Sequence, residues 1–298
     1  MSRIAFIGLG NMGMPMAINL KKAGHEVKAF DTVAAAMETA KAEGMNPAAS
    51  AVEAVDDAEI IVTMLPNGPI VLKVFEEIVP VAAKGAVIID CSTIDVASAK
   101  QAHAMAEAAG LLPLDAPVSG GTAGAVAGTL TFMIGGSNEA FRKATPVLDI
   151  MGGRLVHCGE GGSGQSAKIC NNMLLAISMI GACEAFALAE KIGLSAEAAF
   201  DVISTSSGFC WSVNKYCPVP GIGPESPADN GYKPGFAAEL MFKDLGLSQQ
   251  AAEDAGQATP MGAHAMRLYE TFLAEGGAGK DFSGIIEYLK NSARSEAS

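Results

Sequence analysis

The sequence has few aromatic residues and lacks the cysteine spacings that mark metal sites and disulfide frameworks. Trp211 is the only tryptophan among 298 residues, and aromatic side chains make up 6% of the chain. The six cysteines form no Cys-x-x-Cys pair. We therefore predict no metal site, and we interpret the cysteines as scattered, buried thiols in a reducing compartment.

Basic residues and long apolar runs are also scarce. The chain has 20 Lys and Arg against 32 Asp and Glu, a net charge of -12, which argues against nucleic acid or an anionic membrane as a partner. The most apolar stretch, Met173 to Cys183, is too short for the roughly 20 residues that a membrane span needs. The first predicted strand begins at residue 3, so we expect no signal peptide and a cytoplasmic protein.

A glycine motif stands at the start of the chain. The apolar run Ile4 to Ile7 predicts a strand, Gly8-Leu-Gly10-Asn11-Met12-Gly13 follows it, and a helix is predicted to about Ala23. A second predicted strand, Val27 to Phe30, leads into Asp31. A glycine triplet alone is weak evidence, but this register of strand, glycines, helix, strand and acid predicts a dinucleotide site. The predicted cofactor contacts in the motif are Gly8, Gly10, Asn11, Met12 and Gly13.

Asp31 indicates which dinucleotide is used. A carboxylate there accepts hydrogen bonds from the adenine ribose hydroxyls and repels a 2′-phosphate. Thr32 follows it, where an arginine would favour the phosphate. We therefore predict NAD in preference to NADP.

Strand and helix patterns alternate through the first half of the chain. Strands are predicted at 60–65, 86–90, 111–118, 129–135 and 154–157, with helices over 70–83 and 95–109. This alternation predicts a parallel, doubly wound α/β sheet, a Rossmann domain over residues 1–162. Ligands bind beyond the carboxyl ends of such strands, so Leu65, Pro66 and Thr93 are expected beside the cofactor.

The pattern becomes almost entirely helical near residue 160. Gly159 to Gly164 is predicted to be a glycine-rich hinge, and a long helix from about 165 to 191 joins the two halves. Further helices are predicted over 195–204, 237–254, 260–275 and 282–293, with a loop over 206–235. We therefore predict an all-α domain over residues 163–298, whose apolar character favours a homodimer or homotetramer.

Two segments carry candidate chemistry. Ser119-Gly120-Gly121-Thr122 can form an amide nest with two hydroxyl donors that suits a substrate carboxylate, or a plain glycine turn. Lys168, Asn171 and Asn172 share one face of the long helix, which is either solvated or functional. We favour function, with the lysine exchanging a proton with a substrate hydroxyl. Lys243 and Asp244 would, on pattern alone, be ordinary surface charges.

These blocks together resemble the β-hydroxyacid dehydrogenase family, and its 3-hydroxyisobutyrate dehydrogenase branch in particular. The four matching motifs run in family order along the whole chain: Phe6 to Ala17, Asp115 to Gly124, Gly161 to Asn172, and Lys243 to Leu245. The resemblance implies that Lys168 is the catalytic acid/base, that Asn172 orients the substrate, and that Lys243 reaches the nicotinamide side of the cofactor.

The substrate follows less directly from the resemblance. The loop from Ser206 to Phe236 resembles the 3-hydroxyisobutyrate branch, although Cys217-Pro218 stands where that branch usually has Asn-Pro. Trp211 either lines a pocket for the substrate methyl group or anchors this loop to the core.

The expected reaction is oxidation of (S)-3-hydroxyisobutyrate by NAD to methylmalonate semialdehyde, a step of valine catabolism. One alternative is a broader 3-hydroxyacid or serine dehydrogenase. A non-catalytic nucleotide-binding module and an imine reductase are disfavoured, because those relatives have typically lost the lysine found here at Lys168.

Overall fold

The computed structural model describes residues 1–295, and it divides into two compact units. The first unit is Met1–Lys168 and the second begins at Ile169. The division falls inside one helix, a few residues beyond the boundary that the sequence predicts at 162. That predicted boundary stays a prediction.

The first unit is built on a nine-stranded sheet. Its strand order is β3-β2-β1-β4-β5-β6-β8-β7, and β9 pairs with β8. The strands are β1 (Arg3–Ile7), β2 (Glu26–Phe30), β3 (Asn46–Pro47), β4 (Ile60–Thr63), β5 (Val87–Asp90), β6 (Leu112–Asp115), β7 (Val118–Ser119), β8 (Leu130–Gly136) and β9 (Gly152–Gly159). The first six are parallel to one another.

The sheet separates two apolar layers because successive strand residues point to opposite faces. In β1, Phe6 packs in one buried cluster and Ile7 in the other. Strands β4 and β5 are buried along their whole length, as central strands covered on both faces must be. The predicted α/β fold class is confirmed.

The far edge of the sheet departs from the prediction. The single strand expected over 111–118 is interrupted at Ala116-Pro117, because proline cannot donate a ladder hydrogen bond. Strands β6 and β7 then pair antiparallel with β8, so the sheet is mixed and the expectation of an all-parallel sheet is wrong.

Seven helices flank this sheet among the residues described. They are α1 (Gly13–Lys22), α2 (Ala34–Ala42), α3 (Ala51–Val55), α4 (Gly68–Ile78), α5 (Val96–Ala108), α6 (Gly121–Ala127) and α7 (Asn138–Met151). Asp95 caps α5 as predicted, accepting a hydrogen bond from the Ser98 amide. Helix α4 ends five residues before the predicted end, close to Pro80. Val79 still has helical geometry, but Pro80 has no N–H with which to continue the helical hydrogen bonds.

The second unit is helical. Helix α8 (Ser163–Lys191) enters it from the first unit, and the unit also contains α9 (Ala196–Ile203), α10 (Trp211–Asn214), α11 (Ala238–Asp254), α12 (Pro260–Phe272) and α13 (Ile285–Ser295). Its core contains Met179, Phe186, Tyr269 and Phe282. Ser195 caps α9 through the Ala198 amide, as predicted. The predicted loop over 206–235 holds the short helix α10 and a 3₁₀ turn at Pro227–Asn230.

Helix α8 is longer than the apolar run from which the sequence argued against a membrane span. Its 29 residues make it long and apolar enough to cross a membrane by length and composition alone, so the short run Met173 to Cys183 does not exclude a span. Met179, Cys183 and Phe186 are nevertheless buried in the helical unit, as in the core helix of a soluble protein. The prediction that the protein has no membrane partner stays a prediction.

The cysteines are less uniformly buried than the sequence suggested. All six are free thiols. Cys91, Cys183 and Cys217 are buried, Cys158 and Cys210 are half-buried, and Cys170 is exposed. No group of three or more His, Cys, Asp or Glu side chains that could hold a metal ion occurs in the described part of the chain.

Candidate active site

The glycine loop between β1 and α1 fits a dinucleotide pyrophosphate. A Cβ at Gly13 would overlap the carbonyl oxygen of Gly8, so the turn requires glycine there. A Cβ at Gly10 would meet no described atom within 4 Å, which leaves its backbone open to a ligand. Helix α1 begins here without a side-chain cap or an acidic residue in its first turn, as far as the chain is described. Its positive end can therefore face an anion.

Asp31 lies where the sequence predicts, directly after β2. One carboxylate oxygen accepts a 2.6 Å hydrogen bond from the Leu9 amide, and the other accepts one of 2.8 Å from the Val33 amide. The carboxylate is therefore fixed against the glycine loop. Thr32 beside it is exposed.

Buried polar side chains hold the loops that follow β4 and β5. The Leu65 amide donates to the Ser92 hydroxyl at 2.8 Å, and that hydroxyl donates to Asp90 at 2.6 Å. Burial raises the pKa of the Asp90 carboxyl, and its Oδ2 has no hydrogen-bond partner among residues 1–295. Leu65 and Thr93 are half-buried at this edge of the sheet, and Pro66 is exposed.

The segment predicted to be a hinge is tightly bonded. The Asp115 carboxylate, at the end of β6, accepts hydrogen bonds of 2.8 Å from the Gly162 and Gln165 amides. It also contacts His103 Nε2 at 3.1 Å. Gly162 is itself buried. The glycines at 161, 162 and 164 serve close packing at the start of α8, and the hinge stays a prediction.

Lys168 is a buried lysine one turn further along α8. Its side chain is only 7% exposed, and Nζ donates a 2.7 Å hydrogen bond to the Val118 carbonyl. Val118 immediately precedes the predicted carboxylate site, in which Ser119, Gly121 and Thr122 are half-buried and Gly120 is exposed. The structure thus brings the predicted acid/base to the predicted carboxylate site within the first unit.

The remaining predicted residues lie in the helical unit. Asn172 is buried, and its amide donates to Asp244 Oδ2 at 2.5 Å and accepts from Asn171 at 2.9 Å. Asp244 is also buried, so the expectation of a surface charge is wrong for it, whereas Lys243 is half-buried. Asn171 is exposed and does not share the burial of its neighbour.

Trp211 is held by an aromatic stack. It is 49% exposed, and its ring stacks on Tyr216 with a centroid distance of 4.8 Å. The Tyr216 hydroxyl donates to the buried Asp281 at 2.9 Å. Asp281 also accepts hydrogen bonds from the Gly235 and Phe236 amides, so this carboxylate connects Tyr216 to the carboxyl-terminal end of the loop.

Sequence reasoning gave no individual role to several polar residues at this site. His103, Asp90 and Ser92 were assigned none, and Asp115 and Gln165 appeared only inside family motifs. Two of them, Asp90 and Asp115, could have been found from the sequence, because each is a polar residue at the end of an apolar strand.

Comparison with known proteins establishes the family. The NAD binding domain of 6-phosphogluconate dehydrogenase matches residues 3–159, and the family described as NAD-binding of NADP-dependent 3-hydroxyisobutyrate dehydrogenase matches residues 162–289. A probable 3-hydroxyisobutyrate dehydrogenase of Mycobacterium tuberculosis is 50% identical over 297 residues and covers both chains fully. The chain belongs to the 3-hydroxyisobutyrate dehydrogenase branch of the β-hydroxyacid dehydrogenases. It is thus an NAD-dependent oxidoreductase, which confirms the predicted enzyme class and cofactor.

Two further comparisons bear on the substrate. An NAD-dependent L-serine dehydrogenase of Pseudomonas aeruginosa is 47% identical over 288 residues, 96% of this chain and 97% of its own. A solved structure of the M. tuberculosis 3-hydroxyisobutyrate dehydrogenase with L-serine superposes with a TM-score of 0.94 at 50% identity, covering 97% and 99% of the two chains. Imine reductases at 20% identity or less share the fold alone.

Proposed function

We propose that this enzyme oxidises (S)-3-hydroxyisobutyrate to methylmalonate semialdehyde with NAD, as a step of valine catabolism in the cytoplasm. The observation that carries the proposal is the buried amine of Lys168, fixed on the Val118 carbonyl beside Ser119 to Thr122. A buried amine close to a candidate carboxylate site is what a hydroxyacid dehydrogenase needs.

Each predicted site residue has a separate role in the proposed reaction. Lys168 takes the proton of the substrate hydroxyl while the adjacent carbon loses a hydride. Bound NAD supplies the hydride acceptor. Ser119, Gly120, Gly121 and Thr122 bind the carboxylate, and Asn172, aided by Asn171, orients the hydroxyl-bearing carbon. Lys243 contacts the nicotinamide side of the cofactor, and Trp211 contacts the substrate methyl group.

L-Serine is the second candidate substrate, because one relative is named for it and another was solved with it. Serine is also a 3-hydroxy acid and differs at the carbon beside the carboxylate, where an ammonium group replaces the methyl. Losing the apolar contact with the methyl group costs only about 1–3 kcal/mol. The ammonium group of serine also brings a charge that must be paired or hydrated, so we expect serine to be turned over less efficiently.

A panel of substrates with NAD tests the proposal. We expect kcat/KM to be highest for (S)-3-hydroxyisobutyrate and lower for L-serine and 3-hydroxypropionate. The methyl ester of 3-hydroxyisobutyrate is the matched control, and it should be a poor substrate because it lacks the carboxylate charge. A higher kcat/KM for serine would replace the proposed substrate, and equal turnover of ester and acid would remove the carboxylate role of Ser119 to Thr122.

We also propose that the protein self-associates as a homodimer or homotetramer. Leu174, Gly181 and Leu188 recur every seven residues on the exposed side of α8. The two leucines are 63% and 61% exposed. An apolar heptad stripe of this kind is typical of a helix that packs against a second helix. We call these three residues the α8 stripe.

A further inference from the structure

Gln165 is completely buried, and both the nitrogen and the oxygen of its amide are hydrogen-bonded. Its Nε2 donates a 2.7 Å hydrogen bond to the Ser92 carbonyl, and its Oε1 accepts one of 3.2 Å from the Ile94 amide. These two partners flank Thr93, in the loop after β5. A buried amide that bonds on both sides to the backbone fixes the distance between the two segments that it joins.

Asp115 fixes the same helix turn from the other side. Its carboxylate accepts hydrogen bonds from the Gly162 amide, immediately before α8, and from the Gln165 amide in the first turn of that helix. Gly164 lies so close to this contact that a Cβ would overlap the carbonyl oxygens of Met133 and Asp115. The start of α8 therefore has little freedom to move relative to β6.

One hydrogen-bonded path consequently connects the predicted cofactor loops to Lys168. It runs from the Leu65 amide to Ser92, and from the Ser92 carbonyl to Gln165, three residues before the lysine. Beyond Gln165, the lysine amine is fixed by the Val118 carbonyl. Every residue in this path belongs to the first unit.

We propose that Gln165 is a positioning residue for Lys168. Its side chain holds the first turn of α8 in register with the loop at Ser92 to Ile94, so that the amine and the cofactor loop keep a fixed separation. The inference rests on the proposed function of Lys168 as the acid/base. A reacting group displaced by about 1 Å can lose on the order of 100-fold in rate, which makes such a register important.

Gln165→Met tests the role because it keeps the length and volume of the side chain and removes both hydrogen bonds. We expect kcat per NADH-binding site to fall about 10-fold to 100-fold, with little change in the KM for the hydroxyacid. Counting sites by NADH titration separates this loss from partial unfolding. A wild-type kcat per site would overturn the proposal.

Gln165→Glu should recover part of the kcat lost in Gln165→Met, and the recovery should depend on pH. A protonated glutamic acid can donate to the Ser92 carbonyl and accept from the Ile94 amide, whereas the ionised form can only accept. The kcat ratio of Gln165→Glu to Gln165→Met should therefore rise as pH falls. Asp90, Asp115, His103 and Lys168 are present in both variants, so the comparison differs only in the side chain at position 165. A ratio that does not change with pH would contradict the hydrogen-bonding role.

Tyr269→Phe is the matched control. It also removes one buried hydrogen bond from a side chain to a backbone carbonyl, that of Phe282, at 3.1 Å in the helical unit. It should lower Tm and leave kcat per site unchanged. A drop in kcat equal to that of Gln165→Met would show that general destabilisation explains both, and would overturn the proposal.

A double-mutant cycle with Lys168→Ala separates this inference from the proposed function. If Gln165 acts through the lysine, Gln165→Met should cause no further loss of kcat in the Lys168→Ala background. An equal loss in both backgrounds would overturn the positioning role alone. A Lys168→Ala enzyme with the wild-type rate would instead refute the proposed function, and the positioning role with it.

Discussion

Lys168 is a buried residue with a charged side chain. Because burying an ammonium group costs free energy, its position favours a functional role over a purely structural one. A buried ammonium needs hydrogen-bond partners, and the Val118 carbonyl is one of them. The neighbouring Asn171 is exposed, so only part of the helix face that the sequence singled out is buried. The spacing of polar residues could predict that face, but burial depends on residues far away in the chain.

Replacing Lys168 tests proton transfer directly. Lys168→Ala should lower kcat by about 10²–10⁴-fold while NAD binding survives, because a general acid/base contributes that much. Lys168→Arg should be almost as damaging, since arginine stays protonated. Steady-state rates and NADH titration measure both effects. An arginine variant that oxidises the substrate at close to the wild-type rate would mean that Lys168 acts only as a fixed charge.

Asp31 is predicted to control the choice of dinucleotide. We expect the wild-type enzyme to prefer NAD over NADP by kcat/KM, and Asp31→Ala combined with Thr32→Arg to narrow or invert that preference. Asp31→Ala also removes the acceptor of the Leu9 amide, so some loss of affinity for both cofactors is expected. Thr32→Arg alone is the matched control. A wild-type preference for NADP would contradict the role assigned to Asp31.

At the scale of elements, apolar runs in the sequence predicted the central strands of the sheet better than they predicted which strands pair and in which direction. The strands that became β1, β2, β4 and β5 follow from short apolar runs, and the Asp95 cap follows from residue type. The reversal at β7 and β8 depends on Pro117 and on contacts distant in sequence, which periodicity does not encode. The helices α2, α3, α6 and α7 were not predicted. The first three are short and rich in alanine, which gives only a weak amphipathic signal. Helix α7 has an apolar face at helical spacing that includes Ala144, Leu148 and Met151, and this periodicity could have predicted it.

The loop that carries Trp211 should behave as a unit anchored by Asp281. Asp281→Asn weakens the acceptor of the Tyr216 hydroxyl and of two backbone amides, so the stack should loosen and Trp211 should become more exposed. Because Trp211 is the only tryptophan, a red shift of the protein's fluorescence reports this change directly.

Tyr216→Phe is the control for the loop, since it keeps a ring beneath Trp211 and removes one hydrogen bond. We expect a smaller red shift than in Asp281→Asn. Emission that is identical in Asp281→Asn and the wild type would show that the stack holds Trp211 without the carboxylate.

At the scale of the whole molecule, buried thiols limit stability in alkali. Burial raises the pKa of the Cys91 and Cys183 thiols well above the ordinary value of 9.0. Above about pH 9 these groups ionise in the unfolded chain and stay protonated in the folded one. The free energy of unfolding should therefore fall as pH rises past 9, by up to about 1.4 kcal/mol per pH unit for each group.

Urea unfolding between pH 8 and pH 10.5, with a reductant present, measures this slope. Cys183→Ala should make the slope shallower by about one proton, although the variant is less stable at every pH because it loses a packed side chain. Cys170→Ala, at an exposed site, should leave the slope unchanged. A slope that is the same in Cys183→Ala and the wild type would contradict the assignment.

The α8 stripe gives a second prediction for the whole molecule. Leu188→Glu places a charge in the stripe and should shift the protein to a smaller species in sedimentation or light scattering. Val81→Glu, at a similarly exposed apolar site in the first unit, should leave the mass unchanged. A wild-type protein that is monomeric at micromolar concentration would refute self-association.

The hydrogen bonds of Asp115 have a consequence for synthesis on the ribosome. The cofactor-binding unit has all its strands once β9 is complete at Gly159, yet the buried carboxylate still lacks the amides of Gly162 and Gln165. An emerging chain that stops between these points leaves a buried acceptor unsatisfied, at a cost of about 1–3 kcal/mol. Domains tend to fold one after another during translation, from the amino terminus. Here the first unit reaches full stability only after the first turn of α8 has left the exit tunnel.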